Sequence, residues 1–155
     1  MVKAMEIPLY RLPHAEGLPL PGRATPDSAG MDLVAALPEG RPMLLPPGGR
    51  CLVPTGLVMA IPRGYEGQLR PRSGLALKHG VTVLNAPGTI DADFRNEVMA
   101  LMVNLGQASY EIKRGDRIAQ LLIAPVTECS WTPMETAAGL GETERGLGGY
   151  GSTGD

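Results

Sequence analysis

The chain alternates short apolar runs with turn-forming residues from end to end. Aliphatic and β-branched runs occur at 4–12 (AMEIPLYRL), 51–61 (CLVPTGLVMAI), 65–70 (YEGQLR), 81–84 (VTVL), 97–105 (EVMALMVNL) and 117–126 (RIAQLLIAPV), bounded by Gly or Pro. Such segments read as β-strands. A further strand-like run, AGMDLVAA at 29–36, is apolar apart from Asp32. Helical periodicity is scarce: the one candidate is GLALKH, with Ser73 predicted as its N-cap and Gly80 as its C-terminal stop. Many short strands with so little helix predict an all-β, jelly-roll-like barrel or sandwich.

At 155 residues the chain fits one domain with a single core. With one Trp, one Phe and four Tyr, that core must be filled by Val, Leu, Ile, Met and Ala. The 21 Gly and 15 Pro are spread between the apolar runs, so they punctuate strands and do not form a low-complexity tract. The composition changes near residue 135, where a Gly-rich segment nearly devoid of aliphatics cannot bury a face of its own. The expected organisation is a β domain over 1–134 and a flexible arm over 135–155, with a frayed terminus as the alternative.

A formal net charge of −2, with both signs interspersed, argues against a surface built to hold nucleic acid through its phosphates. Cys51 and Cys129 stand far apart, without a CxxC or Cys/His cluster, and are expected to be buried free thiols. The N-terminus lacks a signal-peptide apolar region and no apolar run approaches ~18 residues, so a soluble cytoplasmic protein without membrane contact is expected.

Three segments suit the binding of phosphate. In PRSGLALK at 71–78, Arg72 supplies a planar cationic fork, and a helix opening at Ser73 and Gly74 offers free backbone N–H groups; an ordinary capped turn with a surface Arg is the alternative. In RGDRIAQ at 114–120, a turn at Gly115 and Asp116 leads into a strand bearing Gln120, with structural roles for Asp116 and Arg117 as the alternative. In RGLGGYGSTG at 145–154, glycines including Gly151 let backbone amides approach an anion, Ser152 and Thr153 add hydroxyls, and Arg145 adds charge. Tyr150 in that polar segment suits stacking on a planar ligand.

Carboxylates occur in two places of interest. Asp32 lies in an apolar run, where an unpaired charge is expensive to bury, so it needs a partner. NAPGTIDADFRNEV at 85–98 is expected to carry Asp91 and Asp93 on one face of an extended segment, beside the chain's only Phe. A carboxylate there can accept a proton from water; a turn acid without chemistry is the alternative.

Taken together, AGMDL, PRSGLALK, NAPGTIDADFRNEV, RGDRIAQL and RGLGGYGSTG resemble, in order and spacing, the five motifs of the trimeric dUTPase family, over residues 23–154. The resemblance implies a distorted jelly-roll-like barrel of the β-clip type, a homotrimer with C-terminal arm exchange, and hydrolysis of dUTP to dUMP and pyrophosphate with Mg2+. By the same resemblance, Asn85 and the backbone near Gly88, Ile90 and Met99 read the uracil edge, and Phe94 lies against the deoxyribose. Asp91 orients the attacking water. Arg72, Ser73, Gln120 and Arg145 hold the phosphates, Ser152 and Thr153 close on the γ-phosphate, Gly74, Tyr150 and Gly151 also contact the substrate, and Asp32 holds magnesium through a water.

The chain departs from the family pattern at Phe94, Asn96 and Tyr150, where Tyr, Gly and Phe are usual. Two alternatives share the fold. A dCTP deaminase or bifunctional relative would carry a catalytic glutamate ten residues beyond Asp91, where this chain has Leu101. A non-catalytic nucleotide-binding regulatory module would bind without turnover.

Overall fold

The computed structural model describes residues 5–149. Among them the chain forms strands β1 (Leu9–Arg11), β2 (Gly22–Arg23), β3 (Met31–Val34), β4 (Met43–Leu45), β5 (Arg50–Pro54), β6 (Leu57–Met59) and β7 (Tyr65–Arg70). Helix α1 (Ser73–His79) follows, and then β8 (Val81–Val83), β9 (Gly88–Ile90), β10 (Met99–Asn104), β11 (Tyr110–Ile112) and β12 (Arg117–Pro125). The largest sheet runs β2-β3-β12-β7-β9; β5-β10-β8 forms a second, and β1-β6 and β11-β4 form two ribbons. Every pairing is antiparallel.

The sheets close over one aliphatic core that includes Leu33, Leu45, Val53, Leu69, Met102, Ile112, Ile118 and Leu121. The aromatics stay at its margin, with Tyr65 and Tyr110 packed against it. Two buried polar side chains are satisfied inside it. Thr55 Oγ1 donates to the Val98 carbonyl at 2.6 Å. Asn104 Nδ2 donates to the Leu45 and Ala108 carbonyls at 2.9 and 2.8 Å, and its Oδ1 accepts the Gly106 amide at 2.8 Å.

Several sequence expectations change in detail. The run at 51–61 is two strands, because the chain turns at Thr55–Gly56, and the run at 4–12 contributes only β1. Ser73 is the first helical residue and not the N-cap; Arg72 holds the cap position, in an extended conformation and without a side-chain cap bond. Gly80 does close the helix, with φ 68° and its amide on the Ala76 carbonyl. A Cβ there would stand 2.4 Å from the Gly106 amide nitrogen, so the end of α1 is fitted onto the β10–β11 connection. Of the cysteines, Cys51 is half-buried, with burial pushing its thiol pKa up, whereas Cys129 is exposed, which corrects the expectation of two buried thiols. Both are free.

Candidate active site

The register of the large sheet builds one wall of the site. Asp32 on β3 lies directly across from Gln120 on β12, and Gln120 in turn faces Arg70, two residues before Arg72. The chain leaves β7 through Pro71 and turns into α1, which brings Arg72, Ser73 and Gly74 over the same row. Asp32, Arg72, Ser73, Gly74 and Gln120, with Ser28, Gly30 and Arg117, line a polar cavity of about 370 Å³.

The side chains hold one another in place. Arg72 Nε donates to Asp32 Oδ1 at 3.0 Å, and Arg117 Nη1 approaches Asp32 Oδ2 at 3.3 Å. The partner that Asp32 needs is thus a pair of guanidiniums. Arg72 Nη1 also reaches the Arg117 carbonyl at 3.3 Å. Gln120 Nε2 donates to the Pro71 carbonyl at 2.8 Å, and its amide lies so close to Gly30 that a Cβ there would stand 2.1 Å from Oε1. Two arginines around one carboxylate leave the cavity with an excess of positive charge, suited to an anion.

Arg117 and Ser28 are cavity residues that the sequence reading missed. Arg117 and Gln120 are three apart, which in a regular strand puts them on opposite faces. A bulge between Arg117 and Ala119 absorbs the extra residue: Arg117 pairs with Val34 and Gln120 with Asp32, two positions on the same face of β3. No sequence signal marks that bulge. Ser28 belongs to a loop whose Thr25 amide bonds its Oγ at 3.1 Å. Asp116 is structural: its Oδ2 accepts the Lys113 amide at 2.8 Å and its carbonyl accepts the Ala35 amide at 2.8 Å.

The residues of the 85–98 segment are elsewhere. β8 and β10 form a stem, closed by Leu84 N on the Leu101 carbonyl at 2.8 Å, and the excursion between them lays β9 against β7. Asn85 packs beside Gly88, its Nδ2 3.3 Å from where a Cβ would be. Ile90 is buried in the core, so only its backbone faces the loop, while Met99 and Phe94 are exposed. Asp91 and Asp93 do not share an extended face: the Phe94 amide bonds the Asp91 carbonyl at 3.1 Å, which makes 91–94 a turn, with the Arg95 guanidinium on the Ala92 and Phe94 carbonyls. β9 runs antiparallel to β7, with Ile90 opposite Gly67, so Asp91 comes level with Glu66. Four residues of β7 separate that level from Arg70, about 13 Å, before the chain turns through Pro71 to Arg72.

Arg145 is described but lies outside the cavity, in a turn where its Nε donates to the Gly148 carbonyl at 3.0 Å. Tyr150, Gly151, Ser152 and Thr153 lie outside the described residues. From Pro125, the last residue of β12, through Leu147 the residues are exposed, Trp131 to 91% and Leu140 to 76%. Among the described residues no three His, Cys, Asp or Glu side chains are grouped to hold a metal ion, and Asp32 is the one carboxylate lining the cavity. No described helix is long and apolar enough to cross a membrane.

Known proteins resemble this chain in sequence and in fold. The profile of the dUTPase family matches residues 16–154. A deoxyuridine 5'-triphosphate nucleotidohydrolase of Mesorhizobium japonicum is 58% identical over 144 residues, covering 93% of this chain and 88% of the relative. One of Rhizobium meliloti is 58% identical over 146 residues, covering 94% and 89%. Among solved structures, the dUTPase of Staphylococcus bacteriophage 80alpha with dUpNHpp aligns with a TM-score of 0.83 at 24% identity, over 98% of this chain and all 100% of that one. A dUTPase variant from phage phi11 of S. aureus, described as coordinating a structural Mg(II) ion, aligns at 0.75 and 23% identity, over 86% and 99%. At these identities the structures establish the jelly-roll-like fold.

Proposed function

The chain belongs to the dUTPase family, and we infer that it hydrolyses dUTP to dUMP and pyrophosphate by attack of water on the α-phosphorus. The activity would limit uracil incorporation into DNA and supply dUMP for dTMP synthesis. The observation that carries this reading is the convergence of Asp32, Arg72, Ser73, Gly74 and Gln120, from three separated motifs, on one cationic cavity.

Within that reading the chain's groups divide the work. Arg72, fixed by Asp32, presents its remaining N–H groups to the phosphates, and the Ser73 and Gly74 backbone and Gln120 orient them. Arg117 adds a second positive charge. Asn85 and the main chain at Gly88, Ile90 and Met99 read the uracil edge, where cytosine presents the wrong donor pattern and the thymine methyl collides. Phe94 lies against the deoxyribose and disfavours a 2'-hydroxyl. Asp91 takes the proton of the attacking water.

The cavity offers one carboxylate, already paired with two guanidiniums, so a hard dication would enter only with the triphosphate, whose oxygens and bound water would supply most of its ligands. Asp32 would hold Mg2+ through one of those waters. When bound, the ion neutralises the triphosphate and polarises the phosphorus under attack.

Because Asp91 leaves the sheet at the Glu66 end of β7, about 13 Å from Arg70 and the turn that carries Arg72, the cavity is completed most simply by Asp91 from another chain. This supports a homotrimer with sites at its interfaces. The exposed apolar residues after β12 support the rest of the assembly, an arm over 135–155 that closes on a neighbour's site. In it Arg145, Tyr150, Gly151, Ser152 and Thr153 complete the enclosure of base and phosphates. Such a trimer is proposed to act in the cytoplasm.

The test is a pyrophosphate-release assay with magnesium, comparing dUTP, dCTP, dTTP and UTP. Release from dUTP alone is expected. Ammonia from dCTP, or binding of dUTP without pyrophosphate, would overturn the reading.

A further inference from the structure

Glu97 ends the loop that carries Asp91 and Phe94, and nothing in the substrate reading uses it. Its side chain is 18% exposed. Oε1 accepts the Gly56 amide at 2.7 Å and lies 2.9 Å from His14 Nε2. These partners come from two elements, the β5–β6 turn and the short 3-10 turn Pro13–Ala15. The two are themselves joined: the Gly56 carbonyl accepts the Leu12 amide at 2.8 Å, and a Cβ on Gly56 would stand 2.1 Å from the Cβ of Ala15.

The next residue is tied down as well. Val98 N donates to the Leu57 carbonyl at 2.8 Å, and the Val98 carbonyl accepts Thr55 Oγ1 at 2.6 Å. Before Glu97 the loop is different in kind. The hydrogen bonds at 91–96 are internal: Phe94 to Asp91, Arg95 to Ala92 and Phe94, and the Glu97 amide to Asn96 Oδ1. A turn bonded only to itself keeps its shape but takes its orientation from its anchors. Those anchors are the β9–β7 pairing on entry and the Glu97–Val98 pair on exit.

We propose that Glu97, backed by His14, is a positioning residue that sets the direction in which the Asp91–Phe94 turn faces the nucleotide. It couples the N-terminal 3-10 turn to the reacting groups without touching substrate. The proposal rests on the functional reading given above for Asp91 and Phe94.

The full chain is compared with Glu97→Ala, Glu97→Gln and His14→Ala by dUTP kinetics and by amide hydrogen exchange over 91–98. Losing two bonds to a carboxylate is expected to lower kcat about tenfold in Glu97→Ala, with a smaller change in KM. Glu97→Gln keeps an acceptor for the Gly56 amide and is expected to stay within about threefold of the unaltered chain. Exchange at 91–96 is expected to quicken in Glu97→Ala.

An alanine variant with unaltered kcat, or a glutamine variant as impaired as alanine, overturns the proposal. Should Glu97→Ala not fold, His14→Ala removes only the outer partner and is expected to lose part of kcat; full kcat there overturns the proposal. Failure of the unaltered chain to release pyrophosphate would strike the functional reading instead. The clamp is then judged by exchange, which needs no substrate, and unchanged exchange overturns it.

Discussion

Replacing Gly30 with alanine separates the site from the scaffold. The new Cβ would stand 2.1 Å from Gln120 Oε1 and 2.9 Å from Cδ, against the 3.0 Å that real Cβ contacts respect. The obstacle is the free end of a side chain, so the Gln120 amide retreats by at least 0.9 Å and the backbone stays. Retreat breaks the 2.8 Å bond from Nε2 to the Pro71 carbonyl, a neutral hydrogen bond with a net value of about 0.5–1.5 kcal/mol. Gly30 does not have a positive φ, so alanine fits its backbone and restricts the unfolded chain, which stabilises by about 0.4–1 kcal/mol. The two nearly cancel, and stability should change by less than about 1 kcal/mol. Catalysis has no such compensation. A displaced Gln120 loses a hydrogen bond to a charged phosphate, about 1.5–3 kcal/mol, which lowers kcat/KM for dUTP about 10- to 100-fold. Thermal unfolding and steady-state pyrophosphate release measure the two effects side by side. A variant with unaltered kcat/KM and unaltered stability would refute the reasoning, since it would mean that Gln120 either does not move or does not touch substrate.

Other perturbations reach different parts of the account. Asp91→Asn is expected to keep dUTP binding while turnover falls about 100-fold or more, read by single-turnover kinetics against a binding titration; unchanged turnover removes Asp91 from proton transfer. Truncation after Glu144 should leave an assembled trimer by size-exclusion with light scattering but poor catalysis, and full activity would exclude the arm from the mechanism. Asn104→Ala deprives the Leu45 and Ala108 carbonyls and the Gly106 amide of their partner, and a loss of about 3 kcal/mol in urea unfolding is expected.

Much of this architecture is legible from patterning, and the exceptions have physical causes. YEGQLR became β7 residue for residue, because its alternation is uninterrupted and it pairs on both sides. Gly80 was readable as the end of α1 because a left-handed residue after a short helix is usually glycine. β2, β4 and β11 were not read as strands: each is two or three residues long and lacks the longer apolar run in which β1, β6 and β8 could be seen.

In the site, Asp32 could be read as needing a partner from the cost of an isolated carboxylate, but two arginines from distant segments could not be deduced from that cost alone. Asp91 and Asp93 have the spacing of one strand face, yet their segment turns. A period of two over three residues does not distinguish the two geometries. Arg117 was hidden by a bulge that changes which residues share a face without changing the sequence pattern.

The claim on which the account turns is that one chain supplies the cationic cavity and another supplies Asp91. Refolding an equal mixture of inactive Arg72→Ala and Asp91→Asn chains and measuring pyrophosphate release tests it directly. Random assembly would restore about a quarter of the sites, each pairing an intact Arg72 from one chain with an intact Asp91 from another, and about a quarter of the unaltered activity is expected. A mixture no more active than its two parents would contradict the account, because both groups would then have to act from the same chain.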